Sequence, residues 1–367
     1  MNNKTGQLSE RFLHGVRVLD LSQFIPGPFA TRQLADLGAE VIKIEPPAGD
    51  PMRRFMHRDN DSISSVYRHL NRGKRICRLD LKSDTGKQYL RELIIKADVL
   101  LESYRPGVLS RLGFGRDDLN QLNPALIHCA LSGYGQTGPY RLRAGHDINY
   151  CAASGSSQVS GIAEKPVIGY PPIADHAAAL QASTAIMAAL FARQKSGKGA
   201  YLDISLFETI LSWQYYPLLN DEPERADSLI NGGAACYNIY QCADGGFISL
   251  GAVEAHFWQR FCETIERPQW IERQFEAMPQ ADLITAVSQI ISQQTVNHWN
   301  QVFAGVDCCF EAVIFPQDRD SHPQIQARNA LTECGPTYPG MINDKAVFID
   351  NDLFELEADE KPRWTKI

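Results

Sequence analysis

The regular alternation of short apolar runs with helical repeats limits most strongly what this chain can fold into. Residues 15–22 predict a buried strand, residues 29–37 a helix that ends at Gly38, and residues 40–45 a second strand. The cycle continues with helices at 85–96, 108–112 and 206–216 and with strands at 98–102, 125–131 and 201–205. Strands that alternate with helices are joined by right-handed crossovers into a mostly parallel sheet. The sequence therefore predicts an α/β fold.

The pattern changes after an alanine-rich helix at residues 175–195, which the segment 196–199 stops. A polar stretch at 220–227 predicts a linker. Beyond it, apolar runs at 237–241 and 247–251 flank an Asp-Gly-Gly hairpin signal, and helical repeats follow at 254–266, 281–293 and 296–304. We therefore predict a large Rossmann-like parallel-sheet domain over residues 1–219 and a small α+β domain over residues 220–332.

Charge and hydropathy exclude several classes of function. A formal net charge of −7 over 367 residues argues against broad nucleic-acid binding. No run approaches the roughly 18 apolar residues that a membrane helix needs. The nine cysteines are odd in number and form no Cys-x-x-Cys pair, which suits reduced thiols better than disulfides or a zinc site. We expect a cytoplasmic protein that binds neither nucleic acid nor a membrane.

The turn after the first strand argues against a dinucleotide cofactor. A dinucleotide-binding fold carries Gly-x-Gly-x-x-Gly at this place, whereas residues 24–28 read Phe-Ile-Pro-Gly-Pro. Two prolines remove backbone donors that a pyrophosphate needs. The sequence also lacks a phosphate-binding loop, a Gly-x-Ser-x-Gly elbow and a His-Glu-x-x-His zinc motif. We expect no metal and no redox cofactor.

Several motifs, in a fixed order, resemble the family III CoA-transferases, also called the CaiB/BaiF superfamily. They are Leu-Asp-Leu-Ser at 19–22, Pro-Gly-Pro-Phe-Ala-Thr at 26–31, the run at 34–47, Asn-Arg-Gly-Lys-Arg at 71–75, Leu-Asp-Leu-Lys at 79–82, Arg-Pro-Gly-Val at 105–108, Ser-Gly-Tyr-Gly-Gln-Thr-Gly-Pro at 132–139 and Ser-Gly-Lys-Gly at 196–199. The resemblance covers about residues 15–330. It implies an acyl-CoA thioester as the substrate.

Two chemistries occur on that scaffold, and later positions choose between them. Transferases of the superfamily move CoA between carboxylic acids through an aspartyl anhydride, while α-methylacyl-CoA racemases exchange the proton on the α-carbon. Asp175 stands where both branches place their aspartate. His146 and Glu254 resemble the second base and the supporting glutamate of the racemases, and Cys309 resembles a racemase cysteine. A glutamine of some transferases corresponds here to Ile25. The racemase is our first hypothesis and the transferase the alternative.

Each of the three residues also has a purely structural interpretation. Asp175 precedes the long helix and suits its N-cap, where the helix dipole would keep the carboxylate ionised. A lone histidine such as His146 is usually structural or solvent-exposed. Glu254 falls in the first turn of a predicted helix, where a carboxylate is favoured by the dipole alone. The first N–H groups of the Asp175 helix are also candidate donors to an enolate oxygen.

The resemblance implies a set of CoA-binding positions as well. Guanidinium groups suit phosphate oxygens, and Arg111 matches a phosphate contact of the relatives. Arg72, Lys74, Arg75 and Arg105 are further basic candidates. The full set of implied substrate-binding residues is Ile25, Lys43, Leu70, Ser103, Tyr104, Arg111, Tyr134, Gly145 and Asp147.

Two departures from the family pattern stand out. Racemases usually follow the aspartate with phenylalanine and glycines, whereas this chain has His176 and three alanines, which predicts a smaller acyl pocket or altered chemistry. The tail at 333–367 lacks the usual Gly-containing helical segment. The resemblance implies that this tail returns towards the large domain. It also implies an interlocked homodimer of open rings, in which Glu254 of one chain completes the site of the other.

Overall fold

The computed structural model describes residues 11–55, 63–220, 224–347, 353–356, 360 and 362–365. The chain divides into two compact units. The first unit takes in Met1–Ser154, Tyr170–Ser212 and Pro323–Ile367, and the second takes in Gly155–Gly169 and Trp213–His322. Part of the linker predicted at 220–227 lies outside the described residues.

The strands fall mostly where apolar runs predict them. In chain order they are β1 (Arg17–Leu21), β2 (Glu40–Glu45), β3 (Arg75–Arg78), β4 (Val99–Glu102), β5 (Ile127–Ser132), β6 (Gly161–Ile162), β7 (Lys165–Pro166), β8 (Ala200–Ser205), β9 (Tyr237–Gln241), β10 (Phe247–Gly251), β11 (Phe310–Ala312), β12 (Leu331–Thr332), β13 (Gly335–Pro336), β14 (Met341–Ile342), β15 (Lys345–Ala346) and β16 (Phe354–Glu355).

The helices complete the alternation in the first unit and dominate the second. They are α1 (Pro26–Asp36), α2 (Ser65–Asn71), α3 (Asp84–Ile94), α4 (Val108–Arg111), α5 (Arg116–Leu122), α6 (Asp147–Ala153), α7 (Ser156–Val159), α8 (Ile173–Ser196), α9 (Leu206–Ser212), α10 (Tyr215–Asn220), α11 (Ala255–Thr264), α12 (Ala281–Ile291), α13 (Val296–Val302) and α14 (Pro323–Ala327), with 3₁₀ turns at Pro51–Arg54, Pro268–Phe275 and Pro316–Ser321. The single helix predicted at 206–216 is divided into α9 and α10.

A seven-stranded sheet in the order β16-β3-β2-β1-β4-β5-β8 organises the first unit. Every neighbouring pair in this sheet is parallel. The order runs outwards in both directions from β1 and β4, so the connections reverse direction between these two strands. In such sheets a crevice opens at the carboxyl ends of the strands at the reversal point, where ligands bind. The predicted α/β architecture with a parallel sheet is confirmed.

Both faces of this sheet are covered because adjacent residues of a strand point to opposite sides. Val18 of β1 packs with Leu34 of α1 and Ala178 of α8 on one face. Leu19, the next residue, packs with Leu90 of α3 and Phe114 on the other face. This two-sided burial explains why the strands read as continuous apolar runs.

Helix α8 begins two residues earlier than the sequence predicts. Pro172 is its N-cap and Gly197, at a φ of +66°, follows its last residue. Asp175 is therefore the third residue of the helix and not its cap, which corrects the predicted position. Ala177, Ala178 and Ala179 are almost fully buried in the core that α8 shares with α1. These three alanines serve close helix packing.

A buried charge network lies at the centre of the first unit. Lys74 Nζ donates to Asp20 Oδ2 at 3.0 Å, and Lys43 Nζ lies 3.1 Å from Asp50 Oδ2. All four side chains are essentially inaccessible to solvent. The two ammonium groups therefore neutralise interior carboxylates.

The C-terminal segment packs on the first unit. β16 pairs in parallel with β3, and Arg53 Nη1 donates to Glu355 Oε1 at 2.6 Å. Further along, Trp364 Nε1 donates to Leu93 O at 3.1 Å.

The second unit holds a three-stranded antiparallel sheet in the order β11-β10-β9. β9 and β10 coincide with the two runs that predict the hairpin. Helices α11, α12 and α13 supply a separate core around Trp258, Phe261 and Trp299. Within the residues that the structure describes, no helix combines the length and apolarity needed to span a bilayer.

Candidate active site

The start of α8 carries the aspartate that the sequence singles out. The backbone N–H of Asp175 donates to Asp147 Oδ1 at 3.1 Å. Asp147 is the first residue of α6, so its carboxylate joins the starts of two helices. Helix starts carry partial positive charge and N–H groups without intrahelical partners, which is why a carboxylate is stable there.

The Asp175 carboxyl titrates close to neutral pH. Its burial, and after that the nearby Asp147 carboxylate, raise its pKa to about 7. Both effects disfavour the charged form of the acid. The prediction that the helix dipole keeps Asp175 ionised at neutral pH is therefore wrong, since desolvation and the like charge outweigh the dipole. A carboxyl with this pKa can both accept and donate a proton near pH 7.

His146 is the N-cap residue of α6, directly before Asp147. Its backbone N–H donates to Asn149 Oδ1 at 3.0 Å, which fixes the backbone of the loop. Its ring is exposed and meets the Phe24 ring edge-on, with 6.0 Å between the ring centres. Phe24 has a φ of +63°, a region that bulky side chains seldom occupy. The β1–α1 turn thus holds an aromatic ring against the histidine.

Gly145 and Tyr150 hold the loop that carries His146. Tyr150 Oη donates to Gly145 O at 2.7 Å. A Cβ atom on residue 145 would lie 2.8 Å from the Tyr150 ring, so the loop can approach only with glycine there. Tyr134 packs edge-on against Tyr150, with ring centres 5.1 Å apart. Gly145 and Tyr134, both predicted as substrate-binding positions, therefore also shape the loop.

Three other predicted CoA-binding residues lie at the crevice between β1 and β4. Ile25 is the N-cap of α1 and ends the turn that follows β1. Ser103 follows β4, and its Oγ accepts a hydrogen bond from Gln23 N at 3.1 Å across the reversal point. Tyr104 is largely buried, and this burial raises the pKa of its phenol to about 12. The structure brings these three positions to one edge of the sheet.

The basic and apolar residues that the sequence predicts as CoA contacts lie in different environments, some exposed and some buried. Arg111 is exposed in the last turn of α4, where its guanidinium is accessible to an anion. Leu70 is buried in a small cluster with Met52 and Tyr67. The Lys43 and Lys74 ammonium groups are enclosed with their carboxylate partners, so they are not exposed to a phosphate. Arg75 pairs with Glu40.

His176, one of the two departures from the family pattern, is anchored. Its Nδ1 donates to Pro172 O, the carbonyl of the α8 N-cap residue, at 2.6 Å. Its ring packs edge-on against Phe29 of α1, with centres 4.9 Å apart. The side chain therefore ties the first turn of α8 to α1 next to Asp175. Because the three alanines that follow face the core, they do not crowd the surface at Asp175.

Glu102 is a titratable group at this edge that the sequence reasoning missed. It ends β4 and is 5% exposed, and burial raises its pKa to about 7. Its Oε2 accepts a hydrogen bond from Tyr104 N at 2.6 Å. The sequence feature that could have identified Glu102 is a carboxylate at the end of an apolar run, directly before two predicted CoA-binding residues.

The second unit carries the other two predicted positions. Glu254 is the N-cap of α11 and not a residue of its first turn, which corrects the prediction. Its charge acts on Cys309 and, after burial, helps to raise the pKa of that thiol. Cys309 is exposed with a φ of +58°, and its carbonyl accepts from Gly251 N at 2.9 Å. Glu254 and Cys309 are thus neighbours within this unit.

No group of three His, Cys, Asp or Glu side chains suitable for a metal ion is found among the described residues. The described site combines a carboxyl whose pKa is raised to about 7, a histidine at the N-cap of α6 and a crevice at the sheet edge.

A parallel sheet of this order, with an aspartate at a helix start, defines an open α/β protein whose ligands bind at the reversal point. The chain matches the family described as CoA-transferase family III over residues 13–359. It belongs to that family.

Curated relatives include both chemistries of the family. The α-methylacyl-CoA racemase of Mus musculus is 33% identical over 338 residues, which is 89% of this chain and 84% of the relative. The acetyl-CoA:oxalate CoA-transferase of Acetobacter aceti is 31% identical over 335 residues, 88% of this chain and 85% of the relative. A CaiB/BaiF family protein from Brucella suis has a similar structure, with a TM-score of 0.82 at 25% identity over 95% of this chain and 97% of that one.

Proposed function

We propose that this protein is an α-methylacyl-CoA racemase-like enzyme that interconverts the epimers of 2-methylacyl-CoA thioesters. The observation that carries the proposal is the Asp175 carboxyl, whose pKa is raised to about 7. General acid-base catalysis is most effective when the pKa of the group lies near the working pH. Histidine is the other side chain that ordinarily titrates in this range, and His146 precedes the residue that contacts Asp175.

The proposed reaction uses two bases because inversion needs a proton on the face opposite to the one that lost it. One of His146 and Asp175 takes the α-proton from the thioester, which leaves an enolate. The conjugate acid of the other returns a proton to the α-carbon from the opposite side. One proton is removed from the α-carbon and one is returned to it, and no atom changes oxidation state. The proposed reaction therefore needs no metal and no redox cofactor, and coenzyme A enters only as part of the substrate.

The enolate oxygen needs hydrogen-bond donors or positive potential placed in advance. The Asp175 N–H, an expected donor, already donates to Asp147 Oδ1. What α8 still offers is the partial positive charge at its N-terminus, which favours an anion beside its first turn. This potential acts on the enolate and not on the neutral thioester, so it lowers the barrier.

The crevice at the reversal point is the proposed site for the CoA part of the substrate. Ile25, Ser103 and Tyr104 surround the edge where β1 and β4 end. Arg111, an exposed cation in the last turn of α4, is the proposed phosphate contact. Gly145, Asp147 and Tyr134, at or beside the His146 loop, are further proposed substrate contacts.

Glu254 is the proposed supporting carboxylate, and the proposed assembly is an interlocked homodimer in which it completes the site of the second copy. Large apolar side chains that are mostly exposed, such as Tyr170 at 91% and Leu219 at 78%, support burial against another surface. Sedimentation equilibrium tests the assembly, since a monomer at micromolar concentration contradicts it. The nine free thiols support a reducing, cytoplasmic location.

A CoA-transferase reaction is the second candidate, and the similarity to the Acetobacter aceti enzyme favours it. In this reaction the Asp175 carboxylate attacks the thioester carbonyl and the CoA thiolate leaves. The released thiolate attacks the Asp175 carbonyl of the resulting anhydride, which frees the first acid and leaves an aspartyl-CoA thioester. The carboxylate of the second acid displaces the thiolate from that thioester and forms a second anhydride. The thiolate then takes the acyl group of the second acid from this anhydride and restores the Asp175 carboxylate. This chemistry needs Asp175 ionised, whereas its pKa leaves much of it protonated at pH 7.

Deuterium exchange separates the two reactions. The protein is incubated in D₂O with a single enantiomer of 2-methylacyl-CoA, and mass and optical purity are followed. The racemase proposal expects deuterium at the α-carbon together with loss of optical purity. Absence of exchange, combined with CoA transfer to a free acid and a hydroxylamine-trapped Asp175 adduct, overturns it in favour of the transferase.

A further inference from the structure

Glu102 is a buried carboxyl that the proposed proton transfer does not use. It is the last residue of β4 and is 5% exposed. Its neighbours in register are Leu21 of β1 and Ala130 of β5, so it lies at the carboxyl end of the sheet, beside the reversal point. A glutamate is seldom buried to this extent without a specific partner. The partner here is the turn that follows the strand.

The turn after β4 is held by two hydrogen bonds. Glu102 Oε2 accepts the backbone N–H of Tyr104 at 2.6 Å, which ties the turn to the end of its own strand. Ser103 Oγ accepts the backbone N–H of Gln23 at 3.1 Å, which joins the turn to the segment between β1 and α1. Ser103 and Tyr104 are both proposed CoA contacts. The Glu102 carboxyl therefore holds the backbone of a turn that binds the substrate in the proposed function.

The surroundings of Glu102 make its charge state sensitive to pH. Burial raises its pKa to about 7, while the hydrogen bond from Tyr104 N opposes this rise and the Asp203 charge adds to it. The titratable groups that act on Glu102 or on Tyr104 are acids of β8, β5 and β1, namely Asp203, Tyr201, Cys129 and Asp20. The Tyr104 N–H is therefore the group that favours the ionised carboxylate.

We propose that Glu102 positions the CoA-binding turn at Ser103 and Tyr104, and that the site binds CoA more tightly when this carboxyl is ionised. A carboxylate accepts an N–H more strongly than a neutral carboxylic acid does, so ionisation fixes the turn more firmly. A turn that is already fixed loses less conformational freedom when a ligand binds, which raises the affinity. The inference rests on the proposed function, because it takes the crevice as the site of the CoA part of the substrate.

CoA itself is the probe, because its binding needs neither an acyl group nor turnover. Isothermal titration measures the Kd of CoA between pH 5.5 and 8.5 in the Asp175→Asn background, which removes another carboxyl that titrates near pH 7. Each measurement compares Glu102 with Glu102→Gln, whose amide oxygen can still accept the Tyr104 N–H but carries no charge. The CoA phosphates titrate equally with both proteins, so the ratio of the two Kd values reports Glu102. We expect the Kd of Glu102→Gln relative to that of Glu102 to rise about threefold or more across this range.

Two further variants separate positioning of the turn from a general loss of structure. Asp203→Asn removes a charge that raises the pKa of Glu102, so the rise in the ratio should move to lower pH, which a folding defect would not cause. Glu102→Met removes the acceptor and should weaken CoA binding by about tenfold at pH 8.5. Glu92→Gln, at an exposed position of α3, is the control and should bind CoA like the unsubstituted protein.

A ratio that stays constant between pH 5.5 and 8.5 overturns the inference. A ratio that falls as the pH rises also overturns it, since the Glu102 charge then repels the ligand. Equal CoA binding by Glu102→Met and Glu92→Gln is a third contrary result. These outcomes leave the proposed function standing, whereas a protein with Glu102 that binds no CoA at any of these pH values contradicts the proposed CoA site and the inference together.

Discussion

The Asp147 carboxylate accepts the backbone N–H of Asp175 at 3.1 Å and also opposes ionisation of the Asp175 side chain. One residue therefore holds the start of α8 in place and adjusts the acidity of the group that α8 presents. His146 is adjacent to Asp147 in the chain and is the N-cap residue of α6.

Asp147→Asn should move the pH dependence of the reaction. The amide keeps an oxygen that can accept the Asp175 N–H, but it removes the like charge, so the pKa of Asp175 falls from about 7. We expect the part of the pH–rate profile that reports the ionisation of Asp175 to shift to lower pH. The rate of deuterium incorporation between pH 5 and 9 measures this shift. Asp282→Asn, another first-turn aspartate, is the control. An unmoved limb contradicts the role of Asp147.

Asp175→Asn should stabilise the fold at alkaline pH while it abolishes exchange. The pKa of this carboxyl is raised from 3.8 to about 7 on folding, so the native state binds more protons between these values. The stability that this bound proton contributes is fully present below pH 3.8 and is lost as the pH rises through 7. The variant should therefore exceed the wild type by about 1–2 kcal/mol at pH 8 and by less at pH 5.5. Urea unfolding at both pH values measures this, and an equal gain at both contradicts it.

His146→Ala should reduce α-proton exchange by at least a factor of about a thousand, because one of the two bases is lost. The ring is exposed, so the melting temperature should stay within about one degree of the wild type. His256→Ala, at an exposed position of α11, is the control for loss of a histidine. Near-normal exchange in His146→Ala would contradict the role of His146 as one of the two bases.

His176→Ala should lower kcat by about tenfold with little change in KM. The variant loses the hydrogen bond to Pro172 O and the contact with Phe29 that fix the first turn of α8 beside Asp175. His176→Asn, which can still donate to that carbonyl, should restore part of the loss. Steady-state kinetics across pH tests this, because a general loss of stability would not separate kcat from KM. Equal defects in both variants would argue against positioning by this bond.

Lys74→Met should unfold the protein more readily and not merely weaken CoA binding. The change leaves the buried Asp20 carboxylate without its 3.0 Å partner, a loss of about 3–5 kcal/mol. Thermal unfolding without ligand measures the effect. Arg75→Met is the comparison, since its partner Glu40 is partly exposed, and it should cost less than about 1 kcal/mol. Unchanged stability of Lys74→Met would contradict a structural role of this residue and leave ligand binding as its predicted role.

The sequence predicted the bounds of the helices and strands better than the contacts between residues that lie far apart in the chain. β2, β9 and β10 have the predicted bounds because their apolar runs end at clear turn residues. The start of α8 was misplaced, since aspartate is a favoured cap and the proline before the helix took that position instead. Asp20 lies 54 residues from Lys74, so no local pattern could show that they meet.

The sequence predicted which residues form the site but not how the fold shifts their pKa values. Motif order identified His146 and Asp175, whereas the pKa of Asp175 depends on burial and on a carboxylate 28 residues away. Glu102 was missed for the same reason, because only the folded sheet places it among predicted ligand contacts.

The pairing of β16 with β3 also determines when the sheet can be completed during synthesis. Phe354 meets Arg75, so the outermost strand is added only after all the residues between these two have been synthesised. Until then β3 is an open edge on a nascent chain, and open edges pair readily with other unfolded chains. A translation product that stops before residue 354 would keep the proposed catalytic residues, yet its exposed edge would make it a substrate for chaperones and for aggregation.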